Sequence, residues 1–298
     1  MLAFIACDDD QTNRFVPDPY DHESQIAKDQ DSLWVYFEEH YYNATTDAIE
    51  FIGAETTDVT PLSDDQNLDS IVGIQANETT TDYTMYFYKT NEGTDPDAIG
   101  YASTVDSVYV NYTGSLLNGY VFDTRPEYPI WFSLSNVVQG WAHGITKFKG
   151  GDKTIMADGD FYYENAGSGF IFLPSGLGYK NNAQSGIPGN SALVFHIKVN
   201  QVQLRDHDLD LVPSKYEIDF DAAGNIELFD TDGDGVSDYL DRDDDNDGAL
   251  TKDEVIAEYG PNLPIVFDFV DGVIVAKGSA SPQNPNGSIP NYKNEGAQ

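Results

Sequence analysis

Cysteine is almost missing from this 298-residue sequence, in which Cys7 is the sole example. One cysteine cannot form an internal disulfide, and it excludes a structural zinc site made of several cysteines. Long apolar runs are missing too, so no stretch of about 20 apolar residues predicts a membrane-spanning helix. The length allows one or two domains, and an aromatic content of 13% favours a folded protein rich in β structure.

Positive charge is scarce, with 15 Lys and Arg against 51 Asp and Glu and a net charge of -36. A surface that binds nucleic acid needs basic residues, so this balance argues against a nucleic-acid partner. The acid is concentrated between Asp219 and Glu254, where only Arg242 and Lys252 oppose it. Such a concentration indicates either bound divalent cations or a highly solvated segment.

Several common catalytic motifs are also absent from the sequence. It has no GxSxG nucleophile motif and no glycine-rich phosphate loop followed by lysine. The histidines show no metal-ligand spacing and are interpreted as surface or packing residues: His22, His40, His143, His196 and His207.

The first residues resemble the lipobox of bacterial lipoproteins, in which small residues precede a cysteine that becomes lipidated. Phe4 to Ala6 precede Cys7, and Asp8 to Asp10 resemble an acidic surface-sorting signal. The basic region and longer apolar core of a full signal peptide are missing, so we expect a shortened start. Residues 1–22 are predicted to be a signal remnant and tether, with Cys7 anchoring an outer-membrane lipoprotein that faces periplasm or cell surface. The alternative is an accidental apolar start with a free thiol.

Residues 23–82 are predicted to form an N-terminal helix followed by an irregular segment. The helix is expected over 23–42 because apolar residues recur at helical spacing. They are Ile26, Leu33, Trp34, Phe37 and Tyr41. Residues 43–70 are acidic and threonine-rich and are predicted to be irregular, and strands are expected at 71–75 and 83–88.

A ring-rich stretch from Tyr109 to Trp141 is the most informative part of the sequence. Alternation around Tyr109 predicts a half-buried strand, and Asn118-Gly119 predicts a hairpin turn. Two short aromatic strands are expected at 121–123 and 130–132, and a helix-like segment is expected to begin near Gly140. The stretch therefore gathers aromatic rings around one carboxylate.

Three later motifs follow this stretch: Gly150 to Lys153, Pro174 to Tyr179 and Gly186 to Phe195. Together with it they resemble, in order, the FKBP-type peptidyl-prolyl cis-trans isomerases over residues 83–204. The resemblance implies an α+β fold in which an antiparallel half-barrel sheet wraps on a short helix. It also implies catalysis without a cofactor, on proline-containing polypeptide clients.

The resemblance carries a pocket onto particular residues. They are Tyr112, Phe122, Asp123, Phe132, Val137, Val138, Trp141, Tyr179, Ile187 and Phe195. Trp141 is expected beneath the proline ring, Asp123 is the pocket carboxylate, and Tyr179 and the Ile187 region are expected to donate hydrogen bonds to peptide carbonyls.

Three positions depart from the family pattern. Ile130 stands where an aromatic residue is usual, and the shortened segment after Asp123 leaves open whether Arg125 pairs with that carboxylate. Residues 158–169 form an insert, expected to be a polar, glycine-containing loop; an overhang of the cleft is one arrangement that stays open.

The acidic segment at 205–260 resembles calcium-binding repeats. One set of aspartates, followed by Gly235, resembles a thrombospondin type 3 repeat, and a second, followed by Gly248, fits the EF-hand loop pattern. The expected calcium ligands are Asp230, Asp232, Asp234, Asp238, Asp241, Asp243, Asp245, Asp247 and Glu254. Residues 219–230 look like a degenerate third copy. The alternative is a solvated acidic linker.

Residues 261–298 are predicted to form an apolar hairpin at 266–275 and a flexible end. The function expected from the whole sequence is an anchored isomerase that assists folding of exported envelope proteins. Two alternatives stay open: a non-catalytic peptide-binding chaperone module that uses the same cleft, and a calcium-dependent cell-surface interaction protein.

Overall fold

The computed structural model describes residues 20–77, 79–94, 99–259, 267–270 and 273–276. The elements in chain order are α1 (His22–Glu39), β1 (His40–Asn43), β2 (Ala48–Phe51), β3 (Leu68–Gln75), β4 (Asp82–Asn91), β5 (Ser107–Leu116), β6 (Val121–Ser133), α2 (Gln139–Ile145), β7 (Asp152–Ile155), β8 (Phe161–Glu164), β9 (Gly167–Leu173), β10 (Leu193–Gln203), β11 (Ile218–Phe220), β12 (Ile226–Leu228), α3 (Thr251–Tyr259), β13 (Phe267–Val270) and β14 (Val273–Ala276). Predictions that concern Cys7 and the flexible end after residue 276 lie outside the described residues.

A six-stranded sheet in the order β3-β4-β9-β10-β5-β6 forms the centre of the protein. Every neighbouring pair in it is antiparallel. The short helix α2 packs on one face, close to β9, because Gly144 has no side chain: a Cβ atom there would lie 2.5 Å from Ile171. The predicted α+β class, with an antiparallel sheet on a short helix, is confirmed.

The central strand β9 is buried on both faces of the sheet. Ile171 and Leu173 belong to the cluster around α2, whereas Phe170 and Phe172 belong to the cluster beneath α1. Because successive side chains point to opposite faces, a strand covered on both sides reads as a continuous apolar run. The two apolar layers therefore hold α1 and α2 on opposite sides of one sheet.

Helix α1 is shorter than the sequence predicted. It begins where Asp21 accepts a hydrogen bond of 3.1 Å from the Ser24 backbone N–H, and it ends at Glu39. Leu33 and Phe37 are buried as expected, but the Trp34 side chain is 45% exposed. Asp21 is a favourable N-terminal cap because its carboxylate satisfies a backbone donor that has no partner inside the helix.

Residues 43–70, predicted to be irregular, instead contain part of a hairpin and the start of β3. Strands β1 and β2 pair antiparallel, and Tyr41 lies in β1, where its hydroxyl donates to Glu50 at 2.8 Å. Asp47 takes the positive φ of 51° that the turn requires. The helical spacing of Tyr41 was misleading because its strand partner decides its conformation.

The insert after Asp158 is also regular. It supplies β8, which pairs with β7 as a separate two-stranded hairpin, with Gly159 at a φ of +93° in the turn. The hairpin packs beside β5, where the Tyr163 and Tyr109 ring centroids are 6.0 Å apart. The predicted loop is therefore partly a strand, and no residue of 158–169 lines the aromatic cavity described below.

The acidic extension contacts the sheet and α2. Asn225 donates to the Gly73 carbonyl at 2.8 Å and accepts from the Gln75 N–H at 2.9 Å. Arg205 N–H donates to buried Asp106 at 3.0 Å. Strands β13 and β14 pair as the predicted hairpin, whose turn lies outside the described residues. No helix among the described residues combines the length and apolar character needed to cross a membrane.

Candidate functional site

A cavity of about 550 Å³ opens between β5, β6, β10, the start of α2 and the loop that follows β9. All ten residues predicted for the pocket line it. The complete lining is Tyr112, Phe122, Asp123, Phe132, Asn136, Val137, Val138, Trp141, Tyr179, Gln184, Ser185, Ile187 and Phe195. The structure thus brings together residues from five separated parts of the chain.

Trp141 lies at the base of the cavity with 4% of its surface exposed. Its ring centroid lies 5.3 Å from that of Phe132 and 6.5 Å from those of Tyr112 and Phe195, with interplanar angles of 74° to 78°. Edge-to-face contacts of this kind are favourable between aromatic rings. The rings therefore hold one another in place and leave an apolar space above the indole.

Gly114 leaves space for the Phe122 and Phe195 rings, which form one wall of the cavity. A Cβ atom at this position in β5 would lie 2.6 Å from the Phe122 ring and 2.8 Å from the Phe195 ring. These two rings meet edge to face at 5.7 Å. A side chain at residue 114 would push both rings, so glycine is needed here for close approach.

The polar end of the cavity contains one carboxylate and two phenols. The Tyr112 hydroxyl donates a hydrogen bond of 2.6 Å to Asp123 Oδ2, and Asp123 Oδ1 accepts from the Thr124 N–H at 2.9 Å. Burial raises the pKa of Tyr112, and the hydrogen bond to Asp123 raises it further. Burial and the charge of Asp123 also raise the pKa of Tyr179. Both phenols are therefore protonated donors at neutral pH.

Asp123 forms no ion pair among the described residues. Arg125, the candidate partner, is exposed and directs Nη1 to the Thr124 carbonyl at 3.2 Å. Ile130 is exposed on β6, stands opposite Val110 and does not line the cavity. The departures at Arg125 and Ile130 thus leave a cavity whose carboxylate is held by a phenol and a backbone N–H.

Three lining residues were missed by the sequence analysis: Asn136, Gln184 and Ser185. Asn136 directly precedes Val137, and the other two lie between Tyr179 and Ile187, so proximity to predicted residues was the available signal. The Ile187 N–H donates to the Gln184 carbonyl at 3.0 Å, within a small bridge. Of the two predicted donors to a bound peptide, the Ile187 N–H is thus engaged within the chain, and Tyr179 lines the cavity.

A second cavity of about 550 Å³ lies between the sheet and the acidic extension. Gln75, His143, Asn225 and Tyr239 contribute to its lining. Burial lowers the pKa of His143, whose Nδ1 lies 3.1 Å from the Ala223 carbonyl. Because His143 is neutral and engaged with backbone, this space offers no arrangement of reactive groups comparable to the ring-lined cavity.

The predicted calcium ligands fall into two groups. Oxygens of Asp230, Asp232 and Asp234 lie within 4.8 Å of one another, and so do oxygens of a second trio. The second trio consists of Asp243, Asp245 and Asp247. Buried oxygens of Asp232 and Asp243 make no hydrogen bond, which suits a cation.

The other three predicted ligands do not join these groups. Asp238 accepts hydrogen bonds of 2.8 Å from the N–H and hydroxyl of Thr231. Asp241 accepts from the N–H groups of Arg242 and Asp243. Glu254 lies in the first turn of α3 and outside both trios. Asp238 and Asp241 therefore shape the backbone of the loops.

Residues 101–200 match the family of FKBP-type peptidyl-prolyl cis-trans isomerases. The match supports an FKBP-type peptidyl-prolyl isomerase domain over this stretch, the kind of enzyme domain that the sequence resemblance indicated. A probable FKBP-type isomerase of Haemophilus influenzae is 36% identical over 102 residues, 33% of this chain and 36% of that protein. FkpA of Escherichia coli is 35% identical over 101 residues, and Mip of Coxiella burnetii 34% over 103.

The matched stretch spans about a third of the length of these relatives, 32% of Escherichia coli FkpA and 37% of Coxiella burnetii Mip. The crystal structure of Escherichia coli FkpA covers 60% of this chain at 22% identity with a TM-score of 0.37. A Pseudomonas syringae peptidyl-prolyl isomerase structure covers 62% at 17% identity with a TM-score of 0.35. These scores are too low to carry an argument about the arrangement of the whole chain.

Proposed function

We propose that this protein accelerates cis-trans rotation of X-Pro peptide bonds in the cavity above Trp141. The observation that carries the proposal is the cavity itself, in which six aromatic rings and one carboxylate converge within the stretch that matches the FKBP-type family. The supporting chemistry is simple, because rotation about a peptide bond requires no bond to break and therefore no nucleophile.

The electronic structure of the peptide bond determines how a cavity can accelerate its rotation. Resonance gives the peptide C–N bond partial double-bond character and a rotation barrier of about 18–20 kcal/mol. The cis and trans forms of X-Pro differ by only about 0.5–1 kcal/mol, so the rate is what needs assistance. The twisted transition state has lost the resonance that makes the amide polar. A dry apolar wall favours it over the planar amide in water.

The residues divide this task between them. The Trp141 indole, Phe132 and Phe195 offer an apolar surface to the proline ring and exclude water. The protonated hydroxyl of Tyr179, which lines the cavity, donates to a peptide carbonyl. Tyr112 holds Asp123 at one end of the cavity, where its charge faces the phenols. Interactions that strengthen as the amide twists lower the barrier.

The test is an isomerisation assay on a short proline peptide, by exchange NMR or by coupling to an isomer-specific protease. Acceleration over buffer that disappears in Trp141→Ala, and persists in the control Trp131→Ala, supports the proposal. Trp131 is a suitable control because it is 42% exposed and lies outside the cavity lining. The absence of acceleration would contradict it.

Peptide binding without turnover would favour the non-catalytic chaperone module. It is measured by Trp141 fluorescence in a background that carries Trp34→Phe and Trp131→Phe. Those two indoles are exposed, and with Trp141 they account for all three tryptophans of the chain.

Two features outside the domain complete the proposal. The trios at Asp230–Asp234 and Asp243–Asp247 bind structural calcium, supported by their spacing and by Gly235 and Gly248 at positive φ values of 97° and 95°.

The lipobox-like start supports an anchor at Cys7 in the cell envelope, with exported proteins as clients. Labelling with a lipid precursor tests the anchor: incorporation that Cys7→Ser abolishes supports it, and unlabelled wild-type protein contradicts it.

A further inference from the structure

Four carboxylates outside both predicted calcium trios converge in the interior of the extension. They are Asp208, Asp210, Glu217 and Asp244, with exposed fractions of 6%, 1%, 0% and 1%. Each offers one oxygen, and these oxygens all lie within 4.8 Å of one another. Asp208 and Asp210 follow β10, Glu217 precedes β11, and Asp244 lies before α3. Three separate segments thus meet at one point.

A second observation points to a ligand at this point. Asp208 is 94% buried, as its exposure of 6% implies, and its Oδ2 atom makes no hydrogen bond. Burying a carboxylate oxygen without a donor is costly, and gathering further carboxylates around it adds repulsion. A cation between the four groups removes both costs.

We propose that Asp208, Asp210, Glu217 and Asp244 bind one calcium ion, which fastens the segment after β10 to the loop before α3. The chemistry favours a hard cation because every side-chain ligand is a carboxylate oxygen. Calcium–oxygen distances of about 2.3–2.6 Å place opposite ligands about 4.6–5.2 Å apart, which matches the observed spacing. Zinc is disfavoured because no histidine or cysteine is present in the cluster.

The ion joins parts of the extension that also meet through the buried side chains of Val212 and Val255. Arg242 Nε donates to the Asp208 carbonyl at 2.9 Å, beside the site. Asp244 stands in sequence between Asp243 and Asp245, which belong to a predicted trio. Neighbouring residues therefore serve two different cations, and the ion held by Asp244 fixes one side of the loop that holds the other.

The experiment counts calcium ions by native mass spectrometry on chelator-stripped full-length protein titrated with calcium chloride. The double variant Asp208→Asn, Glu217→Gln is expected to bind at least one ion fewer than wild type. Asp219→Asn is the matched control, because this exposed carboxylate lies outside all three clusters. It is expected to bind the wild-type number. An equal count in the double variant and wild type would overturn the site.

Limited proteolysis gives a second measurement that leaves the four proposed ligands unchanged. Leu209 is 63% exposed and lies between two proposed ligands. Calcium is expected to slow cleavage next to Leu209 at least tenfold, also in a variant with Asp230→Asn and Asp232→Asn. Cleavage that is equally fast with calcium and with chelator would contradict the proposal. Neither measurement uses isomerase activity, so the site can fail while the isomerase proposal stands.

Discussion

The Tyr112 hydroxyl and Asp123 Oδ2 are joined across β5 and β6 by a hydrogen bond of 2.6 Å. The strand register places Asp123 opposite Gly114, two residues from Tyr112 on the same face of β5. The phenol therefore reaches Asp123 diagonally across the strand pair. This bond fixes the direction of the carboxylate that faces the cavity.

Replacing Tyr112 by Phe removes this hydrogen bond and keeps the ring. A hydrogen bond to a charged group contributes about 1.5–3 kcal/mol net, so we expect the free energy of unfolding to fall by about that amount. The kcat/KM for a proline peptide is expected to fall by about tenfold or less, because the apolar walls remain. Urea unfolding and the isomerisation assay measure the two effects.

Tyr128→Phe is the matched control, since Tyr128 lies on β6 with 79% of its surface exposed. It is expected to leave both quantities unchanged. A Tyr112→Phe protein with wild-type kcat/KM and wild-type stability would show that the bond has no role in either.

Trp141→Ala should have a larger effect than any other single change in the cavity. Truncating a buried Trp costs about 3–5 kcal/mol, and it also removes the apolar base of the cavity. We expect kcat/KM to fall more than tenfold, whereas Trp141→Phe keeps a ring and recovers part of it. If the stably folded Trp141→Phe protein were as inactive as Trp141→Ala, an apolar base of the cavity would not be sufficient for catalysis.

The family resemblance predicted the cavity lining, because its ordered motifs carried ten residues onto this sequence and all ten line the cavity. The alternation around Tyr112 and the glycines near Trp141 are local features of the sequence, so they do not depend on which distant segments they contact. Contacts between distant segments were harder to foresee. Tyr41 fits a helix by spacing but pairs across a hairpin with Glu50, and Asp208 meets Asp244 only after the extension folds. The patterns identify which face of an element is buried, and they do not reveal which distant element covers it.

Calcium removal should lower thermal stability. A ligand that binds only the folded state adds about 2.7 kcal/mol at one hundred times its dissociation constant. With several sites filled, we expect chelator to lower the melting temperature by at least 5 °C, and calcium but not magnesium to restore it. Scanning calorimetry with calcium, magnesium and chelator measures this. An unchanged melting temperature in chelator would contradict structural calcium in the extension.

His143 should make stability depend on pH near neutrality. It lies on α2 two residues after Trp141, and its Nδ1 faces the Ala223 carbonyl of the extension at 3.1 Å. Burial lowers its pKa below the ordinary 6.5; Lys147 lowers it further, while the Ala223 carbonyl and Asp221 oppose the shift. The folded protein therefore binds the proton less tightly than the unfolded chain. Stability is full above pH 6.5 and falls as the pH drops from there through the lowered value.

The free energy of unfolding from urea titrations between pH 7.5 and pH 5, at saturating calcium, tests this dependence. Burial also lowers the pKa values of the other four histidines, so the contribution of His143 is the difference between wild type and His143→Asn. The variant is expected to be less stable at pH 7.5 and to lose less stability on acidification. If the free energy of unfolding changed with pH equally in wild type and in the variant, the pKa of His143 would be the same in the folded and unfolded chains. With the predicted slope, protonation of His143 is unfavourable because the imidazole is buried where the extension packs on the helix that carries Trp141.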